Sequence, residues 1–221
     1  MAIDRAKVQA LAQKYFIKGQ TDKAIKEYLL LYEDNQSDMK VCQKLGDLYV
    51  KKGDKAKAQK FQEIVAEDFT SKGFYLKAIA VYKQILRLDP NLLEINIKLA
   101  DLYNRQGLPT ESVSQYKLVA GQYEKAGKVN EALNVIGMMA DIDPSNVMVR
   151  VKLAERYVKE GLIAKASEQI LKLGDEYKKQ GKPEDIIKLY EKFAALDQSN
   201  KEIYIGLGKA YTETGDLEKA L

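Results

Sequence analysis

The amino-acid sequence predicts an all-α fold, a solenoid of stacked antiparallel helices, and three observations lead to this prediction. The segment Leu99–Gly107 recurs along the chain in close copies. Glycines recur in two series, each with a period of 54 residues: Gly53, Gly107, Gly161 and Gly215, and Gly19, Gly73, Gly127 and Gly181. Between the glycines, apolar residues follow the spacing of one helical face, and no segment has the pattern of a strand. A repeat this regular is typical of stacked supersecondary units.

Thirteen helices are predicted, and residues that start or stop helices separate them. The first spans 4–18 and ends at Gly19, which accepts the left-handed conformation that follows a helix. Thr21 and Asp22 are expected to cap the second helix. The segment 35–38 breaks that helix and caps the third, which ends at Gly53. The remaining helices are predicted at 54–72, 74–88, 92–106, 108–126, 128–142, 146–160, 162–180, 182–196, 200–214 and 216–221.

All four prolines fall at predicted helix boundaries. Pro109 and Pro183 lie in first turns, where the missing N–H has no intrahelical partner to lose. Pro90 and Pro144 lie just past helix ends, because proline cannot continue a helix. The last predicted helix opens without being completed, so we expect the chain, 1–221, to be a single repeat domain cut from a longer protein.

The repeat has columns of small and aromatic residues that bring helices together. The small column of the first helices reads Ala12, Gly46, Ala66, Ala100, Ala120, Ala154, Gly174 and Gly208. The aromatic column reads Tyr15, Tyr49, Phe69, Tyr103, Tyr123, Tyr157, Tyr177 and Tyr211. The small column of the second helices reads Ala24, Ala58, Ala78, Ser112, Ala132, Ala166, Ile186 and Ala220. Small residues let two helices approach, and the tyrosine ring fills the space beside them.

These columns resemble the tetratricopeptide repeat, and the resemblance covers nearly the whole chain. It implies a right-handed α-solenoid, a superhelix, whose first helices line the inner face. The chain is similar to bacterial proteins with many such repeats. The spacing departs from the family, because the long helices carry both the second-helix and the first-helix signature. The repeating unit is therefore three helices in 54 residues, where the family has two helices in 34.

Composition argues against several classes of function. The chain has 36 Lys and Arg against 32 Asp and Glu, a net charge of +4, with no block of like charge. A dedicated nucleic-acid binder concentrates basic residues on one stripe, so we expect no nucleic-acid partner. No stretch approaches the ~20 apolar residues that span a membrane, so no membrane insertion is expected. Cys42 is the only cysteine, which is typical of a reducing compartment and predicts a cytoplasmic protein.

Catalysis, cofactors and metals are not expected either. The chain has no histidine and one cysteine, which excludes a Cys-His nucleophile and the usual zinc ligands. Its glycines occur singly at helix ends, whereas a phosphate loop clusters them after a strand. Asp89, Asp143 and Asp197 recur with the period and are interpreted as helix caps, not as a carboxylate metal site.

A periodic charge pattern supplies the candidate partner-binding residues. Its three triplets are Lys44, Asp47 and Lys51; Lys98, Asp101 and Arg105; and Lys152, Glu155 and Lys159. The spacing places each triplet on one helix face, so the members can pair within their helix for a few tenths of a kcal/mol each. The alternative is a ladder of charges that lines a binding groove. The carboxylate clamp of relatives that bind acidic tails of chaperones is not expected, because acids stand where that clamp has asparagine.

The sequence thus predicts a noncatalytic scaffold that holds a partner protein or peptide on its concave face. One alternative is a structural spacer or self-association module of the parent protein. Another is a regulator that senses a peptide or small ligand in a pocket with unpaired polar groups, for which Asn96, Asn104 and Arg150 are the candidates. Reversing the charge of Arg150 would then abolish binding without unfolding the chain. The resemblance suggests a bacterial context in pilus assembly, gliding motility or cell polarity.

Overall fold

The computed structural model describes residues 3–144, 146–195, 198 and 200–220. Within these residues the chain forms thirteen α-helices and no strand, which confirms the all-α prediction. The helices are α1 (Arg5–Ile17), α2 (Thr21–Asp34), α3 (Met39–Lys52), α4 (Lys55–Ser71), α5 (Tyr75–Leu88), α6 (Leu93–Arg105), α7 (Pro109–Lys125), α8 (Val129–Ile142), α9 (Val147–Lys159), α10 (Ile163–Lys179), α11 (Pro183–Ala194), α12 (Lys201–Thr214) and α13 (Leu217–Ala220). The predicted ends of the helices agree with these bounds to within two residues. Leu196, Asp197, Ser199 and Leu221, which the predictions place in helices or breaks, lie outside the described residues.

The periodic glycines form the turns that reverse the chain. All eight have φ between 66° and 83°, the left-handed region that glycine enters at little cost. After α1, for example, the N–H of Gly19 donates to Phe16 O and the N–H of Gln20 donates to Tyr15 O. These bonds satisfy carbonyls that the helix end leaves open. A turn this short returns the next helix against the one before it.

Helix capping follows the prediction at Asp38 but not at Thr21 and Asp22. The Asp38 carboxylate accepts from the N–H groups of Lys40 and Val41 at the start of α3. The expected cap at Thr21 and Asp22 is wrong, because the tight turn at Gly19 brings Gln20 to the N-cap and makes Thr21 the first helical residue. No side chain caps that helix within the part of the chain that the structure describes.

The described aspartates that recur with the 54-residue period lie directly after helices. Asp89 and Asp143 are the C-cap residues of α5 and α8. The Asp89 carboxylate accepts from the N–H of Asn91 at 2.9 Å, so it holds the turn that Pro90 opens. Within the described residues, no group of three or more His, Cys, Asp or Glu side chains is placed to hold a metal ion.

The chain divides into two compact units, residues 1–115 and 116–221, here called unit 1 and unit 2. In unit 1 each helix from α1 to α6 packs against the next, and in unit 2 the same holds from α8 to α13. The tetratricopeptide-like solenoid is therefore seen as a stack of neighbouring helices in each unit. The expectation of one repeat domain over 1–221 stays a prediction. No helix within the described residues is long and apolar enough to cross a membrane.

The repeat columns form the cores of both units. The small residues of the second helices, from Ala24 to Ala166, are at most 2% exposed. Four of the eight aromatic positions are buried, namely Tyr49, Tyr103, Tyr157 and Tyr211, and the other four are half-buried. The hydroxyl of Tyr157 donates to Leu133 O at 3.1 Å, so its polar end is paired inside unit 2. The columns thus position the first helices, which carry the charge pattern.

Candidate partner-binding surface

The charge pattern lies on three helices that occupy equivalent places in the repeat. Its triplets are on α3 and α6 in unit 1 and on α9 in unit 2. Lys44 and Lys98 are half-buried, and the other seven residues are exposed. The structure therefore presents most of the predicted residues to solvent, where a partner can reach them.

Charged residues of the pattern pair across helices. In unit 1 the Lys98 ammonium lies 2.8 Å from Glu67 Oε1 and 3.4 Å from Glu63 Oε2, both on α4. In unit 2 Glu155 Oε1 lies 2.7 Å from Lys192 Nζ on α11. That hydrogen bond lowers the pKa of the Glu155 carboxyl, and the lysines of its own helix contribute less. At Glu155, pairing within the helix is thus weaker than the ion pair with Lys192 on the neighbouring helix.

One crevice of unit 1, the α6 crevice, contains a whole triplet. Its volume is about 190 Å³, and its walls are Glu67, Thr70, Tyr82, Lys98, Asp101, Leu102 and Arg105. The Lys98 ammonium lies 6.0 Å from the centre of the Tyr82 ring at the same place. Partial burial opposes the charge of Lys98, but the hydrogen bond to Glu67 and the neighbouring charges outweigh it, and the pKa of the ammonium is raised. The α6 crevice is a charged surface that is already ordered by its own ion pairs.

The triplet of α9 lines a wider depression in unit 2, the α9 crevice. Its volume is about 760 Å³, and its walls are Lys152, Glu155, Arg156, Val158, Lys159, Glu160, Lys192 and Phe193. Arg156 forms an ion pair with Glu124 at 2.9 Å. Most of these walls are charged, so this surface suits a polar partner segment more than an apolar one.

The α12 crevice of unit 2 has a different character. It holds about 280 Å³ between α10, α11 and α12. Its apolar residues are Leu171, Ile186, Tyr190, Ile205 and Ala210, and its charged residues are Asp175, Lys178, Glu202, Lys209 and Glu213. An apolar floor with a charged rim is the usual composition of a site that takes an apolar side chain in a fixed orientation.

Two glycines of the α12 crevice make room for the Tyr190 ring. A Cβ on Gly174 would lie 1.9 Å from the Tyr190 hydroxyl oxygen, and a Cβ on Gly206 would lie 2.3 Å from Tyr190 Cε2. Any larger residue at either position would collide with the ring, which is 5% exposed. Burial, with a smaller contribution from Asp175 and Glu202, raises the pKa of Tyr190 to about 12.

The α3 crevice of unit 1 is small and polar. It holds about 60 Å³ and is lined by Gln43, Asp47, Gln62, Val65, Val81 and Gln84. Gln62 is 7% exposed, and its Oε1 has no hydrogen-bond partner within the described residues. Asp47, a predicted site residue, supplies the charge among these walls.

Two of the polar residues suggested for a ligand pocket have structural partners instead. Asn96 is 3% exposed and donates to Leu92 O at 3.0 Å and to Pro90 O at 3.3 Å, so it closes the turn before α6. Arg150 is 3% exposed and donates to Gln169, Ala140 and Asp141. Reversing its charge would place a carboxylate among acceptors, so the expected loss of binding without unfolding does not follow. Asn104 lies on the exposed face of α6.

Sequence reasoning missed the residues of the α12 crevice and, apart from Asp47, those of the α3 crevice, although a signal for the α12 crevice was present. The lysine that starts each triplet, Lys44, Lys98 and Lys152, is replaced one period later by Gly206. The small column, which is mostly alanine, changes to glycine at Gly174. Both changes remove a side chain beside Tyr190.

The polar groups exposed on this surface are suited to binding. Cys42 is completely buried, and burial raises the pKa of its thiol, which disfavours the reactive thiolate. The exposed groups of the four crevices are carboxylates, ammonium groups, guanidinium groups and carboxamides. They can hold a partner by ion pairs and hydrogen bonds.

Comparison with known proteins agrees with the fold. No curated protein sequence matches the chain significantly. The crystal structure of BtubC (BKLC) from P. vanneervenii is similar at 16% identity and a TM-score of 0.51, and the match covers 96% of this chain and 86% of that one. The structure of MamA matches at 20% identity, covers 71% and 88% of the two chains and has a TM-score of 0.32. A thermophilic TPR protein from Thermus thermophilus matches at 16% identity, covers 70% and 99%, and has a TM-score of 0.27.

Family models agree with the repeat columns in both halves of the chain. Two models, each described as "Tetratricopeptide repeat", match residues 40–63 and 171–221. The first match contains most of α3 and the start of α4, and the second contains α11 and α12. Together with the helical stack of each unit, these matches show that tetratricopeptide repeats are present in both units.

Proposed function

We propose that this chain is a noncatalytic scaffold that binds a segment of a partner protein on the concave face that the repeat implies. Tetratricopeptide-repeat proteins in general bind other proteins, and the α12 crevice is the observation that carries the proposal here. It combines an apolar floor with a charged rim, and Ile205 in it is 56% exposed. A concave apolar surface with a few polar groups at its edge is typical of a binding site.

The α12 crevice suits an apolar side chain of an extended peptide or of a docked helix. Its volume of about 280 Å³ lies just below the range of small-molecule pockets, which begins at roughly 300 Å³. Both acidic and basic groups line it, so backbone and polar groups of the same segment would find partners there. The charged α6 and α9 crevices would contact other parts of the partner, each within its own unit.

A peptide-display selection on the immobilised chain tests the proposal. Selected peptides are then measured by titration calorimetry against the wild type and two variants, Ile205→Asp and Met148→Asp. Met148 is the matched control, because it is an apolar side chain of unit 2 that is 66% exposed and lies outside the four crevices. We expect Ile205→Asp to weaken binding by about tenfold or more, which is about 1.4 kcal/mol, and Met148→Asp to leave it unchanged.

The opposite outcomes are equally clear. Equal loss in both variants would show that binding does not use the α12 crevice. Failure to select any peptide, together with a molar mass that rises with protein concentration, would favour the alternative of a self-association module or spacer. The cytoplasmic, bacterial setting and a role in pilus assembly, gliding motility or cell polarity stay predictions, which the identity of a native partner would test.

A further inference from the structure

The α3 crevice contains a buried acceptor that the protein itself does not use. Gln62 is 93% buried between α3 and α5, and its Oε1 has no hydrogen-bond partner within the described residues. It reaches this place because residue 46 is glycine: a Cβ there would lie 3.1 Å from Gln62 Cγ. An unpartnered buried acceptor costs free energy, so its presence in a cavity points to a donor from outside the chain. The terminal torsion of glutamine is soft, so the carboxamide can turn its oxygen toward an entering group.

Comparison of the repeats in the two units indicates which kind of donor the α3 crevice would bind. Glu155 occupies the place of Asp47 two periods later, and Lys192 likewise occupies the place of Gln84. In unit 2 the acid is therefore paired with an internal cation, at 2.7 Å. In unit 1 glutamine replaces that lysine, and Asp47 has no ion pair or side-chain hydrogen bond within the described residues. Compared with unit 2, the α3 crevice has the acidic residue of the pair but not the lysine.

The remaining walls favour a cation with several hydrogen-bond donors. The carboxamides of Gln43 and Gln84 line the same crevice, and Val65 and Val81 supply apolar surface for the stem of a long side chain. The cavity of about 60 Å³ is several times the roughly 10–15 Å³ that one water needs, so it can take a polar group larger than a water. Guanidinium offers five donors in a plane, which suits a carboxylate beside several carboxamide oxygens.

We propose that the α3 crevice is a binding site for an arginine side chain of a partner peptide, held by the Asp47 carboxylate and by the Gln62 carboxamide. The inference rests on the proposed function, since it names one side chain of the bound segment. Lys44 lies near Asp47, but its ammonium is directed over the Phe16 ring, 4.5 Å from the ring centre. The site is thus open to a cation from another chain.

The test uses N-acetyl-arginine amide as the probe and the full chain labelled with nitrogen-15. The side-chain amide resonances of Gln43, Gln62 and Gln84 report directly on the crevice. We expect them to shift with saturation on titration with the arginine probe and to stay in place with N-acetyl-citrulline amide, its neutral analogue. An Asp47→Asn variant should bind the arginine probe about tenfold more weakly, because it loses the charge-assisted bond.

The decisive variant is Gln84→Lys, which installs in unit 1 the cation that unit 2 already has. It should abolish the shifts, while Gln9→Lys, the same change on an exposed site of α1, should leave them unchanged. Equal shifts with the citrulline probe, no shifts up to the solubility limit of the arginine probe, or unchanged binding in Gln84→Lys would each overturn the inference. Display-selected peptides that bind equally well to Gln84→Lys but lose affinity for Ile205→Asp would leave the proposed function standing without it.

Discussion

Replacing Arg150 by methionine should destabilise the chain far more than an ordinary surface arginine would. The Arg150 side chain donates at 2.9 Å to Gln169 Oε1, at 3.2 Å to Ala140 O and at 2.8 Å to Asp141 Oδ1. Methionine keeps most of the apolar stem but donates to none of these oxygens. Gln169 is 5% exposed, so its oxygen and the Ala140 carbonyl would lose their partners inside unit 2.

The magnitude follows from the exposure of each partner. Each of the two buried acceptors costs about 1–3 kcal/mol when left unpaired. The carboxylate of Asp141 is half exposed, so its share is at most about 1 kcal/mol. Part of this loss is offset, because the methionine variant no longer buries the charge of the guanidinium group. We therefore expect Arg150→Met to lower the free energy of unfolding by about 2–4 kcal/mol.

Urea unfolding followed by far-ultraviolet circular dichroism measures this loss. Arg156→Met is the matched control, since Arg156 is 45% exposed and bonds to the exposed Glu124, a pair worth at most about 1 kcal/mol. The double variant Arg150→Met, Gln169→Met removes the orphaned carboxamide as well, so it should recover part of the loss. If Arg150→Met lost no more stability than Arg156→Met, the buried network would not hold α8, α9 and α10 together as argued.

Three further predictions concern Tyr190 and Gln62. Gly174→Ala should lower the free energy of unfolding by about 1–3 kcal/mol because the added Cβ overpacks Tyr190. Gly121→Ala is the control: nothing lies within 4 Å of its added Cβ, so it should raise the free energy of unfolding by up to about 1 kcal/mol. Thermal unfolding of the two variants tests this difference. Because the pKa of Tyr190 is raised to about 12 in the folded chain, its contribution is complete below pH 10 and is lost as the pH rises from about 10 to 12. Urea unfolding across that range should show a shallower loss for Tyr190→Phe than for the wild type. Gln62→Met should raise the free energy of unfolding by about 1 kcal/mol by removing an unpaired acceptor, and an unchanged urea midpoint would mean that the oxygen is already satisfied.

The helices could be predicted from the sequence because their boundaries are local. A glycine such as Gly53 sets a left-handed turn whatever surrounds it, and proline at 109 or 183 favours a first turn through its own ring. The misassigned cap at Thr21 shows where this reasoning stops. Both Gln20 and Thr21 are compatible with a cap position, and the length of the turn after Gly19 decides between them.

The candidate site could be predicted only as a face and not as a set of contacts. Helical spacing places Lys98 and Asp101 on one side of α6, but the main partner of Lys98 is Glu67, which lies 31 residues earlier. Glu155 pairs with a lysine 37 residues later. Such pairs depend on how neighbouring helices pack, and the residue spacing within a single helix does not predict that packing. The burial of Arg150 could not be predicted for the same reason, since its partners Ala140, Asp141 and Gln169 lie on the neighbouring helices.

Glycines in the small column at 46 and 174 let a side chain of the next helix pack close beside two of the crevices. Alanine already lets two helices approach, so helix packing alone does not require glycine at 46 or 174. At both places the missing Cβ is filled by a polar side chain from the next helices, Gln62 in unit 1 and Tyr190 in unit 2. Each side chain then lines a cavity beside the glycine. The two proposed binding positions thus lie where the sequence departs from its repeat, because the residues that recur in the small and aromatic columns are those that the stack itself needs.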